Sequence, residues 1–247
     1  MSILASELKA YQAANMPEDD TATVGGAIAP TGLVEFTDVA ANDDLEALSD
    51  DAADTMNLTI TGRNAAGAIV SETKALTGVT AVIFSTLGVI ERVLKIVLAS
   101  AAAGTVTVRR SVAGATVVAI PAGKTSVRRM FYDSASEAGS TTRYEKLFMK
   151  NENATLTLNS AALELTADPA ATIRIGGAPA VDDTATAANR KTAPASVTFV
   201  DDGVSQSVPG GVLAAGSGIG VWAEMVRGAA AAAIKNTFSV ELSGTST

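Results

Sequence analysis

Carboxylates are the first residues to weigh as chemistry, because the chain has neither histidine nor cysteine. Those two absences remove the commonest general base, the commonest transition-metal ligand and any thiolate nucleophile. What remains is a glycosidase-type pair of carboxylates, a Ser–Lys acyl-transfer couple, or a hard cation held by oxygens. Residues 38–54 carry Asp38, Asp43, Asp44, Glu46, Asp50, Asp51 and Asp54, a density that invites a calcium reading. Their spacing does not follow an EF-hand loop, and the glycine its sharp turn requires is missing. A solvated acidic loop is expected instead. Asp182-Asp183 and Asp201-Asp202 are adjacent pairs in turn-like sequence. Neighbours in an extended chain point to opposite sides, so neither pair makes a catalytic couple.

Two glycine-bearing stretches need the same scrutiny. Gly123-Lys124-Thr125 matches the tail of a phosphate-binding loop, but that motif requires a glycine at position 118, where Val118 stands. Gly216-Ser217-Gly218-Ile219-Gly220 lacks the GxGxxG order and precedes a strand instead of opening a helix, so the dinucleotide reading fails and a turn is expected. No nucleophile, base and orienter converge in the sequence. The expectation is a protein that is not an enzyme and has no cofactor and no metal.

Charge and hydropathy narrow the partners. With 18 basic and 26 acidic residues the formal net charge is −8, the wrong sign for gripping a nucleic-acid backbone. No apolar run reaches the roughly 18 residues of a membrane span. The best candidate, residues 79–98, is broken by Ser85, Thr86, Glu91, Arg92 and Lys95. The N-terminus has no basic stretch ahead of its apolar residues and does not read as a signal peptide, so a product made and kept in a cytoplasm, at least until assembly, is expected. Asn57-Leu58-Thr59 and Asn153-Ala154-Thr155 are then chance glycosylation sequons.

The elements that would carry any such residues read as strands. Residues 144–150 and 155–158 form one candidate hairpin, and residues 91–98 with 105–110 another. In both, a charged opening (Glu91-Arg92, Glu145-Lys146) leads into apolar residues, and the partner alternates threonine with an aliphatic side chain. Alternation puts Val106 and Val108 on a core face and Thr105 and Thr107 on a wet one. The two stretches read as one supersecondary unit used twice. Further strands are expected over 33–36, 57–62, 68–76, 79–84, 115–120, 125–132, 162–166, 171–175, 196–200, 220–226 and 236–242, with residues 178–193 as a long link. Short strands at regular spacing predict an all-β chain of two tandem sandwich- or barrel-like domains. The expected division is an N-terminal arm over 1–20, a first β-domain over 21–133, a linker over 134–142 and a second β-domain over 143–247. Only 4 % of residues are aromatic, so small aliphatics must fill the cores, with Trp222, the sole tryptophan, as an anchor.

Residues 2–15 are expected to form a short amphipathic helix with Leu4, Leu8 and Tyr11 on one face, stopped before Met16-Pro17. Leu4, Leu8, Tyr11 and Met16 are the candidate interaction residues of this arm. Deletion of residues 1–16 is expected to leave a folded protein but to weaken assembly.

Taken together, PEDDTATVGGAI (17–28), TITGRNAAGAIVSETKALTG (59–78), ERVLKIVL with GTVTVRR (91–110), RYEKLFMKN with TLTL (from 143) and LAAGSGIGVWAEMVRGAAAA (from 213) resemble virion structural proteins of tailed bacteriophages. The nearest group is the head decoration, or cement, proteins. That resemblance implies a homotrimeric β-sandwich protein on the capsid exterior, bound to the major capsid protein, with residues 1–20 reaching a neighbour. Tail or baseplate components and host- or glycan-binding adhesin modules are the alternatives.

Overall fold

A computed structural model describes residues 2–34, 39, 43–132, 137–231 and 237–246. Among them the strands, in chain order, are β1 (Leu8–Asn15), β2 (Val24–Leu33), β3 (Leu45–Ser49), β4 (Asn57–Asn64), β5 (Ile69–Ala75) and β6 (Val82–Ile83). Then follow β7 (Ile90–Leu98), β8 (Val106–Arg110), β9 (Thr116–Ile120), β10 (Ser126–Arg128), β11 (Thr141–Asn151) and β12 (Leu158–Ala167). The last six are β13 (Ile173–Val181), β14 (Thr186–Ala187), β15 (Gln206–Ser207), β16 (Val212–Leu213), β17 (Gly218–Arg227) and β18 (Ser239–Ser246). Helix among the described residues is confined to two 3₁₀ turns, Ala5–Glu7 and Pro209–Gly211. The chain is therefore all-β, with several sheets.

Contacts divide it into two compact units, one of Met1–Ala29 with Phe131–Thr247 and one of Pro30–Met130. This differs from a linear division at 134–142, because the N-terminal segment belongs with the C-terminal half. The expected strand residues 35–36, Asp38 and the linker residues 134–136 lie outside the described residues.

In the Pro30–Met130 unit one sheet runs β10-β7-β4-β5, with the end of β2 parallel to β10, and a second runs β6-β3-β8-β9. Leu58, Ile60, Val93, Ile96, Leu45, Ala47, Val106, Val108 and Ile120 are buried. Val106 and Val108 thus take the core side of β8 while Thr107 is half-buried, as the alternation requires. β4 and β5 form the expected hairpin, closed where the Asn64 carboxamide oxygen accepts the Ala66 and Ala68 amides. Thr59 and Thr73 hydroxyls meet across it at 2.8 Å, a cross-strand pair typical of a wet face.

In the other unit a sheet runs β13-β17-β11-β1-β2, with β14 on the start of β2. A second sheet is built on β12, with β15 and β16 along one edge and β18 along the other. Three expectations are corrected here. Residues 8–15 are a strand, not a helix, because β11 offers an edge along which residues 8–12 pair with 147–151. Tertiary pairing overrides the local helical preference of so short a segment. Residues 144–150 and 155–158 are not a hairpin: β11 pairs with β1 and β17, while β12 lies in another sheet. β7 and β8 likewise belong to different sheets. The two similar stretches are thus two sheet-changing connections. Finally, residues 178–181 of the expected link are strand, continuing β13 beyond the expected 171–175.

Candidate functional site

β11 concentrates the chemistry. It sits between β1 and β17, is buried from Arg143 to Met149, and carries Arg143, Glu145 and Lys146 in that stretch. Successive side chains leave opposite faces of the sheet, so Arg143 and Glu145 share one face and Lys146 takes the other with Tyr144 and Phe148.

On the first face Arg143 donates to both carboxylate oxygens of Asp20, from Nε at 2.9 and 3.0 Å and from Nη2 at 2.7 Å, and also donates to Glu137. Lys191 reaches Glu137 at 2.8 Å and Asp20 at 3.3 Å. Arg190 and Glu145 form a pair at 3.1 Å with almost no exposure of either side chain, and Glu145 also accepts the Phe131 amide at 2.9 Å. Three cations thus face three carboxylates. The Arg143 guanidinium holds the Asp20 carboxyl below its usual range, and Lys191 does the same for Glu137. Such bidentate, charge-assisted contacts fix geometry as well as energy. Here they bind residues 20, 137 and 190–191 to the central strand.

On the second face Lys146 is fully buried. Its Nζ donates to the Gly26 carbonyl (3.1 Å) and to the carbonyl (2.9 Å) and carboxylate (2.8 Å) of Asp183. Burial lowers the Lys146 pKa, and Asp183 opposes that shift. Beside it, Arg174 pairs with the buried Glu224. Trp222, opposite Lys146 in the β17 ladder, is 1 % exposed, as expected for a core anchor.

The candidate arm residues do not gather on one face. Leu4 is exposed, Leu8 and Met16 are half-buried, and Tyr11 is fully buried within β1. The Tyr11 hydroxyl donates to Glu152, and burial together with that carboxylate pushes its pKa well up. Tyr11 is thus a sheet residue, not a contact held out to a neighbour.

The acidic run is also spent internally. Part of it is β3, and Glu46 accepts Arg109 at 2.7 Å while Asp43 pairs with Arg110 at 2.7 Å. Asp50 accepts the Thr105 amide at 2.7 Å. Buried Asp54 accepts the Ser49 hydroxyl (2.6 Å) and the Ala103 and Gly104 amides (2.9 and 3.0 Å). The expectation of a solvated loop is corrected, since these carboxylates serve as acceptors for backbone and arginine groups. Among the described residues no group of three acidic side chains is placed to hold a metal ion. Asp201 and Asp202 are exposed in a turn, and Gly216 takes the expected left-handed conformation at φ +78°.

Asp54 yields a direct expectation. Asp54→Ala leaves three donors without their acceptor and should cost about 1–3 kcal/mol at neutral pH, read as a lower denaturation midpoint. The Ser49 hydroxyl first, then the two amides, hold the carboxyl below its ordinary value. A depressed folded pKa adds stability that is present at neutral pH and lost as pH falls through it. The difference between wild type and variant should therefore shrink in acid, and a gap that widened would refute this role.

Searches against protein families, curated proteins and solved structures find no match to this chain.

Proposed function

We propose that this chain is a virion structural protein, a decoration protein that binds the outer surface of an icosahedral phage head and stabilises contacts between major capsid proteins. The observation that carries the reading is the use made of β11: its charges are buried and tie distant segments to an all-β framework, which suits a load-resisting role. The sequence resemblance to cement proteins supports the same reading, as does the net charge of −8, which favours solubility over nonspecific adhesion. Its mechanism is linkage. A ligand that attaches only to the assembled shell stabilises it by mass action, and repetition over the lattice adds avidity to modest contacts. A trimer would set three copies of each contact around a symmetry axis.

The test is addition of the purified protein to mature heads of the encoding phage stripped of it. Saturable binding and a higher head-disruption temperature are expected. Association with purified tails instead, or retention on a glycan surface with no binding to heads, would overturn the proposal in favour of a tail component or an adhesin.

A further inference from the structure

The Lys146 ammonium lies within reach of four oxygens drawn from two separate stretches of chain. They are the Gly26 carbonyl (3.1 Å), the Asp183 carbonyl (2.9 Å) and carboxylate (2.8 Å), and the Ala185 carbonyl (3.4 Å). The Phe148 and Trp222 rings stand 4.7 and 5.7 Å from the same nitrogen. The stem of the side chain has a path because residue 220 is glycine, where a Cβ would come within 2.6 Å of Lys146 Cε.

Above this site residues 182 and 184–186 are exposed, while Lys146 beneath them is wholly buried. The segment is pinned at its start, where the Asp182 amide donates to the Gly218 carbonyl and the Gly218 amide to the Asp182 carboxylate, both at 2.8 Å. It is pinned at its end by β14 on β2. Between the two, Asp183 and Ala185 bind Lys146, and Ala185 also accepts the Gly26 amide at 2.9 Å. Trp222 lies under the same cover, its ring so near Gly25 that a Cβ there would be 2.6 Å from it and 3.0 Å from the Ala185 carbonyl.

We propose that these oxygens form a primary-ammonium site, occupied in cis by Lys146, and that its occupancy latches residues 182–187 as a strap over Trp222. A buried ammonium costs solvation that its partners only partly return, so its value lies in fixing one arrangement of the chain above it. An apolar side chain of similar length would fill the space but remove the ammonium's hydrogen bonds, leaving the Ala185 carbonyl with the Gly26 amide and the Asp183 carboxylate with the Ala185 amide at 3.2 Å. The latch therefore governs strap position more than global stability.

The only tryptophan in the chain reports on it. In the full-length protein Lys146→Met and Lys146→Ala should raise acrylamide quenching of Trp222 several-fold with far-ultraviolet circular dichroism unchanged, and Asp183→Asn should raise it less. Propylammonium, which matches the atoms Lys146→Ala removes, should restore protection in that variant, while tetramethylammonium and propanol at equal concentration should not. Unchanged quenching in Lys146→Met and Asp183→Asn would overturn the proposal even if Lys146→Ala fails to fold. Equal rescue by tetramethylammonium would reduce it to a salt effect. An intact mass one water below the sequence mass, together with a digest peptide in which Lys146 and Asp183 are cross-linked, would show the two side chains joined as an amide with loss of water, and would overturn the ionic latch in favour of a covalent one.

Discussion

Deletion of residues 1–16 is expected to abolish the folded state of the unit formed by Met1–Ala29 and Phe131–Thr247. The segment is no appendage: β1 lies between β11 and β2 inside a sheet. Its removal strips residues 147–151 of their partners on the β1 side, leaving those toward β17, and leaves β11 and β2 with open edges. It also removes buried Tyr11 and Ala13, the Tyr11–Glu152 hydrogen bond and the Lys9–Glu152 ion pair at 3.2 Å. A single buried large side chain is worth about 1.5–3 kcal/mol and whole domains only about 5–15, so loss of a complete internal strand exceeds what the unit can bear. Circular dichroism and Trp222 emission should show a red-shifted, non-cooperative species. A truncated protein that kept a cooperative melt and a buried tryptophan would restore the arm reading, in which truncation weakens assembly without unfolding.

Trp222→Ala should be the most damaging single substitution among those considered. Trp222 packs with Val24, Tyr144 and Ala187, flanked by Val197 and Phe199, and Tyr144 meets the Phe199 ring at 5.5 Å between centroids. The fit reaches the backbone, because the ring occupies the space a side chain at residue 25 would need, and Gly25 adopts φ +94° beneath it. A void lined by so many constrained neighbours cannot collapse fully, so the cost is about 3–5 kcal/mol. For a chain of this size that corresponds to a fall in melting temperature of roughly 6–20 °C. An unshifted melt would show that the cluster is not a cohesive core. Trp222→Phe, which refills much of the volume, should recover part of the loss.

Both predictions rest on β-structure, and how much of it could be read in advance follows from the range of the forces involved. The period-2 alternation of TVTV, the turn chemistry of Asn64-Ala65-Ala66-Gly67 and the glycine-rich entry to Gly220 act over a few residues, so strands β4, β5, β8, β9 and β17 were legible locally. The core role of Trp222 was legible for the same reason: one large apolar ring in a chain this poor in aromatics has few other places to go.

Pairing between distant strands was not legible. β11 reads as half of a hairpin because TLTL follows it, yet its partners are β1 and β17, more than sixty residues away along the chain in each direction. Nothing local to residues 8–15 distinguishes a lone helical turn from a strand, and only the edge of β11 decides it.

Strand patterns at regular spacing pointed to an all-β chain, and composition by itself determined small-residue cores, a net charge of −8 and no histidine or thiol chemistry. Tertiary structure alone decided what the charges do. Asp20, Glu137, Arg143, Glu145, Arg190 and Lys191 are scattered over more than 170 residues and become one network only when β11 is enclosed. Asp54 becomes a cap for residues 103–104, and Lys146 a buried cation under residues 182–187, by the same route. The reason is that a charge is cheap to keep in water and costly to bury. A sequence records that a charge is present, while only the fold records whether water or a partner surrounds it.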